Sequence, residues 1–160
     1  MTFLAGILAV VLAADATSPA KAPVARAEGE AYQVALVPPA SVKPGAAATA
    51  RVVVTARGPY HVNRDYPTSF RADKGSTAVF PADKVPLGEG AERTPCKDFP
   101  GEACALSAPL PFRAAASGET RIAGVVAFSV CNPDRCLIEK VPVAVSIPTA
   151  TSTPTATSTK

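Results

Sequence analysis

The chain has no tryptophan, one methionine and one histidine among its 160 residues. A single methionine excludes a methionine-rich copper centre. His61 has no second histidine with which to build a metal site, so a structural imidazole with its hydrogen bonds satisfied is expected there. A Gly-rich phosphate loop, a Ser-His-Asp order and a paired-carboxylate motif are all missing, which removes the usual grounds for nucleotide or hydrolase chemistry. Charge is sparse too: 18% of residues are charged, and the net charge of +3 is unclustered, so no nucleic-acid partner is expected. No apolar run after Ala14 approaches the length of a bilayer crossing, and no membrane span is expected in the mature chain.

What is present is apolar and rich in turn residues. With 48% hydrophobic residues, 17 prolines and 10 glycines, the composition suits one domain of short strands and disfavours long helices. Candidate strands are Tyr32 to Val37, Thr49 to Ala56, Tyr60 to Val62, Ala78 to Phe80, Leu110 to Ala114, Arg121 to Val130 and Leu137 to Ile147, set off by Pro39, Pro44-Gly45, Gly58-Pro59, Gly75 and Gly118. About seven such strands predict an all-β sandwich. Pro142 inside the last of them predicts an edge position or a bulge.

The two ends read differently. Phe3 to Ala14 is a short apolar run followed by Ala14-Asp15-Ala16, a small-x-small pattern, so residues 1–16 are read as a signal peptide and the mature protein as periplasmic or secreted. Residues 17–29, rich in Ala, Pro and charge without period, read as a flexible leader. Residues 149–160 are a Thr/Ser/Pro tail unable to bury a core. The folded domain is placed at 30–148.

Four cysteines remain, and four cysteines allow three pairings. Cys131 and Cys136 flank Asn132-Pro133-Asp134-Arg135, which suits a type I turn with Asn first and Pro second. If the two face each other across a hairpin, their Cα atoms lie about 4.5 to 5.5 Å apart, within reach of a disulfide. Closing so short a loop removes only about 2 kcal/mol of denatured-state entropy, against about 5 for a hundred-residue loop. A bond that stabilises little is open to another use. Arg135 and Lys140 supply the positive surroundings that favour a thiolate. An inert hairpin disulfide of an exported domain stays open beside the reactive reading.

Strand parity places the pair. Ile122, Gly124, Val126, Phe128 and Val130 form one face, while Cys131 continues the smaller, more polar set of Arg121, Ala123, Val125, Ala127 and Ser129. On the return, Leu137, Val141, Val143, Val145 and Ile147 are the apolar face, and Cys136 falls with Ile138, Lys140 and Ser146. Both cysteines are expected on the outer face, where a partner reaches them. The other pair, Cys96 and Cys104, lies in what reads as the longest strand-free region, Val85 to Ala108, where a disulfide closes the loop tip. Zinc fits poorly: seven residues separate Cys96 from Cys104 and four separate Cys131 from Cys136, and an exported chain is oxidised.

The run Val126 to Leu137 resembles the cysteine motif of the N-terminal periplasmic domain of the thiol:disulfide interchange protein DsbD and its relatives. Upstream, Gly58-Pro59-Tyr60-His61-Val62-Asn63-Arg64-Asp65 resembles that family's early strand segment. The likeness covers about Glu30 to Pro148. It implies an immunoglobulin-like β-sandwich and protein-disulfide reductase chemistry. Cys136 would bond to the partner and Cys131 would resolve, with no cofactor and no metal. It also implies a cap over the redox disulfide, which Asp98-Phe99 resembles by position, and a pocket that Tyr60 lines. The partners implied are thioredoxin-like proteins or a membrane thiol-electron transporter meeting a monomer. The 160 residues contain neither a membrane-embedded nor a thioredoxin-like segment, so electrons are expected from a separate protein. The alternative function is a non-catalytic interaction module with two structural disulfides.

Overall fold

The computed structural model describes residues 25–150, and every described element is a strand or a turn. Ten strands follow in order: β1 (Ala25–Glu28), β2 (Tyr32–Val37), β3 (Ala47–Ala56), β4 (His61–Val62), β5 (Ser69–Ala72), β6 (Lys84–Pro86), β7 (Glu92–Pro95), β8 (Ala103–Arg113), β9 (Thr120–Cys131) and β10 (Cys136–Ile147). All their pairings are antiparallel. One half runs β1-β2-β3-β8 with β7 on the free side of β8, and the other runs β6-β5-β9-β10. The two residues of β4 join them, pairing Val62 with Ala103 on β8 and with Val130 on β9. The halves face each other across one core, where Tyr32 on β2 meets Phe128 on β9 edge to face at 5.0 Å. This is the all-β sandwich that the turn spacing predicts.

The long strands form where alternation is cleanest. Ala50, Val52 and Val54 of β3, and Val141, Val143, Val145 and Ile147 of β10, are buried while their neighbours are not. As Pro142 requires, β10 is an edge strand paired with β9 alone. From Ala108 to Phe112, β8 has β3 as its ladder neighbour and no partner from β7, and Pro109 and Pro111 fall in that stretch.

Several boundaries differ from those read in the sequence. The segment Val85 to Ala108 is not strand-free: it holds β7, most of β6 and half of β8. Glu92, Arg93, Thr94 and Pro95 of β7 are all exposed, so no apolar alternation marks that strand, and the Ala-rich start of β8 is too small in side chain to show one. Strands β5 and β6 are short, with Phe70 and Val85 as their inward anchors, too few for a period to register. Residues 25–28 of the supposed leader pair with β2, and Ala150 donates to the Val42 carbonyl at 2.8 Å, so the folded unit is wider than 30–148. The expected strand Ala78 to Phe80 shrinks to one bridge between Val79 and Arg113, since Pro81 has no N–H to extend it. The signal-peptide reading of 1–16, leader residues 17–24 and tail residues 151–160 lie outside the described residues.

Gly124 shows how closely β5 packs on β9. Ala72 is its partner, and a Cβ there would meet Phe70 Cζ at 2.5 Å and the Arg71 carbonyl. Phe70 covers the position a side chain would take and leans on Phe80 at 5.1 Å. Gly124→Ala is therefore expected to lower stability by about 1 to 3 kcal/mol through overpacking, read as a lower urea midpoint at unchanged slope.

Candidate functional site

The site is built on the β9–β10 hairpin. Asn132 Oδ1 accepts from the N–H of Asp134 at 3.0 Å and of Arg135 at 2.8 Å, and the Asn132 N–H donates to the Arg135 carbonyl at 2.9 Å. None of the turn residues has positive φ, as a type I turn led by Asn-Pro requires. The turn sets the register, and Cys136 lies opposite Cys131 with Leu137 opposite Val130. Cys131 and Cys136 are bonded, with Cα atoms 4.0 Å apart, closer than the usual span of a cross-strand pair. Leu137 turns towards the core, and Ile138 next to it is 63% exposed, so parity puts the sulfurs on the face opposite the core.

The two sulfur-bearing residues are not equally open. Cys136 is exposed, whereas Cys131 is only 6% exposed, which corrects the expectation that a partner reaches both. The reason is β4. It runs beside β9 at this level and places His61 directly opposite Cys131. His61, Cys131 and Cys136 thus form one row across three strands, and residues paired across antiparallel strands share a face. In the next row Asn63 donates its backbone N–H to the Ser129 carbonyl at 2.9 Å.

An open cleft of about 700 Å³ lies over this row, lined among others by His61, Arg64, Arg93, Glu102, Cys131 and Cys136. Arg64 donates to the Gly101 carbonyl at 3.0 Å, tying the segment after β4 to the loop between β7 and β8. Cys96 and Cys104 are bonded across that loop, with Cα atoms 4.8 Å apart, and the bond secures the hairpin that carries Glu102. His61 Nε2 stands 3.7 Å from Glu102, and Nδ1 is buried with no hydrogen-bond partner among the described residues. The expectation of a fully satisfied imidazole is therefore corrected.

The other residues read from the sequence fall around this centre. Phe99 is half-buried and packs at a tilt on His61, ring centres 5.6 Å apart. Asp98 is exposed and forms no ion pair among the described residues. Tyr60 is half-buried against the core and accepts from Arg135 Nη2 at 3.4 Å. That bond, with the Tyr60 charge as the next cause, holds the Arg135 pKa above its ordinary value; Arg135 adjoins Cys136 in the chain. Glu102 was not singled out by sequence: it is one acid in a charged stretch, and only the β4–β9 register and the β7–β8 hairpin bring it to His61. No group of three or more metal-ligating side chains occurs among the described residues. Comparisons with protein-family models, curated proteins and solved structures find no match for this chain.

Proposed function

We propose that this protein is an exported thiol:disulfide exchange domain that relays electrons between thioredoxin-like partners through Cys131 and Cys136. The observation that carries this reading is the asymmetry of the hairpin disulfide: an exposed Cys136 at the mouth of a cleft, bonded to a buried Cys131. Exchange requires in-line attack by an outside thiolate on one accessible sulfur, with the other leaving, and a shielded leaving sulfur directs the attack. Arg135 beside Cys136 favours the thiolate that forms there when the partner departs. The short loop makes the bond a weak stabiliser of the fold. An apolar run with a small-x-small pattern at the start of the chain supports export, where thiols of this kind meet oxidised and reduced partners.

Equilibration against glutathione buffers of graded ratio, read by mass after alkylation, tests the reading. The Cys131–Cys136 couple is expected above about −300 mV, the level below which structural disulfides lie. A value below that level for both disulfides would favour a non-catalytic sandwich that uses its outer face for binding.

A further inference from the structure

We infer that His61 is the proton acceptor for Cys131 and so sets the reactivity of the buried member of the pair. Three observations on independent elements converge. The β4–β9 register puts His61 opposite Cys131, so imidazole and sulfur are side by side on one face. Its Nδ1 is buried without a hydrogen-bond partner among the described residues, which is a costly arrangement for a purely structural ring and a useful one for a base. Nε2 lies 3.7 Å from the Glu102 carboxylate, the side on which a ring N–H has an acceptor nearby, and Nδ1 is the nitrogen left free to accept.

The need for such a group follows from burial. Cys131 is 6% exposed, and a thiol shielded from water resists ionisation, yet only its thiolate can resolve a mixed disulfide. The surroundings supply few alternatives. Arg64 and Arg93 on the cleft wall are cations and accept nothing, while Asn63 Nδ2 donates to Ser129 Oγ at 3.5 Å and Asn63 Oδ1 accepts the Asp65 N–H at 3.0 Å. Asp65 lines the same cleft and its backbone N–H donates to Asn63 Oδ1 at 3.0 Å, but it is His61 that the β4–β9 pairing sets opposite Cys131; Arg135 at the tip is held by Tyr60. Among the described residues Glu102 is the carboxylate within 4 Å of the ring, at 3.7 Å from Nε2, and it acts on Cys131 through His61. Phe99 packs on the imidazole and limits its rotation.

The chemistry balances without a further reagent. In the reduced chain the Cys136 thiolate attacks a partner disulfide, the partner's S–S bond breaks with its electron pair on the departing partner sulfur, which takes a proton from solvent, and a mixed disulfide is left on Cys136 beside the Cys131 thiol. In the resolving step Nδ1 takes the Cys131 thiol proton, which it later returns to solvent, and Cys131 Sγ attacks Cys136 Sγ in the mixed disulfide. The intramolecular bond re-forms and the partner leaves as a thiolate, which takes a proton from solvent. The chain is then oxidised and the partner reduced by the same two electrons. This is the logic of a Cys–His pair oriented by a carboxylate, here serving resolution rather than first attack.

The inference rests on the exchange reading for its purpose but is tested without any partner. In the Cys136→Ser chain, with Cys96–Cys104 intact, the alkylation rate of Cys131 by iodoacetamide is followed against pH by mass of the Cys131 peptide. Adding His61→Gln should move the inflection up by about one unit, an alkylation rate about tenfold lower at neutral pH. Glu102→Gln, at a half-exposed site, should move it the same way by less, because it removes the carboxylate that faces Nε2 on the far side of the ring. A merely structural histidine would shift the thermal midpoint and leave the pH profile in place. An unmoved profile in His61→Gln overturns the proposal; should that variant not fold, an unmoved profile in Glu102→Gln does so. Failure of the exchange reading would appear separately, as absence of partner capture with these profiles intact.

Discussion

Cys131→Ser should accumulate mixed disulfides with thioredoxin-like proteins in cell extract, and Cys136→Ser should not. The difference follows from exposure and from the order of bond exchange. Removing Cys131 leaves Cys136 as a thiol at the mouth of the cleft, beside Arg135, where it attacks a partner disulfide and has no neighbour to release it. Removing Cys136 leaves Cys131, which is 6% exposed and walled by β4, with its route to a partner closed. The effect should be close to all-or-none on a non-reducing gel, with the captured proteins identified by mass. Cys96→Ser and Cys104→Ser should capture nothing through the hairpin beyond the unmodified chain, because their bond lies on the β7–β8 loop and takes no part in the exchange. Capture by Cys136→Ser instead would invert the roles of the two sulfurs. If neither variant captures a partner and thioredoxin leaves the hairpin disulfide oxidised, the protein is a binding module.

The hairpin was legible because its signals are local. Asn132-Pro133-Asp134 sets the turn, the turn sets the register, and the register pairs the cysteines, all within a few residues of one another. The same holds for the apolar faces of β3, β9 and β10, whose alternation is long enough to read. What the sequence hid depends on distant pairing. That His61 lies opposite Cys131 is a consequence of a two-residue strand inserted between β8 and β9, and nothing in Tyr60-His61-Val62 announces which strand it will join. Parity correctly sent Cys131 to the outer face, but outer is not the same as exposed once a third strand lies alongside. β7 was missed for the converse reason: it is a strand held by backbone pairing and a disulfide, with no buried side chain to betray it.

Phe128→Ala should be among the most destabilising single substitutions in the domain, at about 3 to 5 kcal/mol. Phe128 is fully buried, and its ring meets Tyr32 edge to face, so the truncation removes both burial and a contact that ties one half of the sandwich to the other. Against a typical total of about 5 to 15 kcal/mol, that loss leaves little margin. Tyr32 reports the same event. Burial first, and then the Glu139 charge, raise its pKa above the ordinary value, and water entering the space left by the ring should bring it back down. The control is Ile138→Ser, on the outer face of β10 opposite Ser129, where a residue 63% exposed should cost no more than about 0.5 kcal/mol. Urea unfolding with both disulfides intact measures the pair of variants, and equal midpoints would mean that the two faces of the hairpin are not inside and outside as described. A large difference has a functional corollary. Phe128 anchors β9 from below three residues before Cys131, so the rigidity of the hairpin disulfide rests on the core face of the strand whose opposite face carries the sulfur.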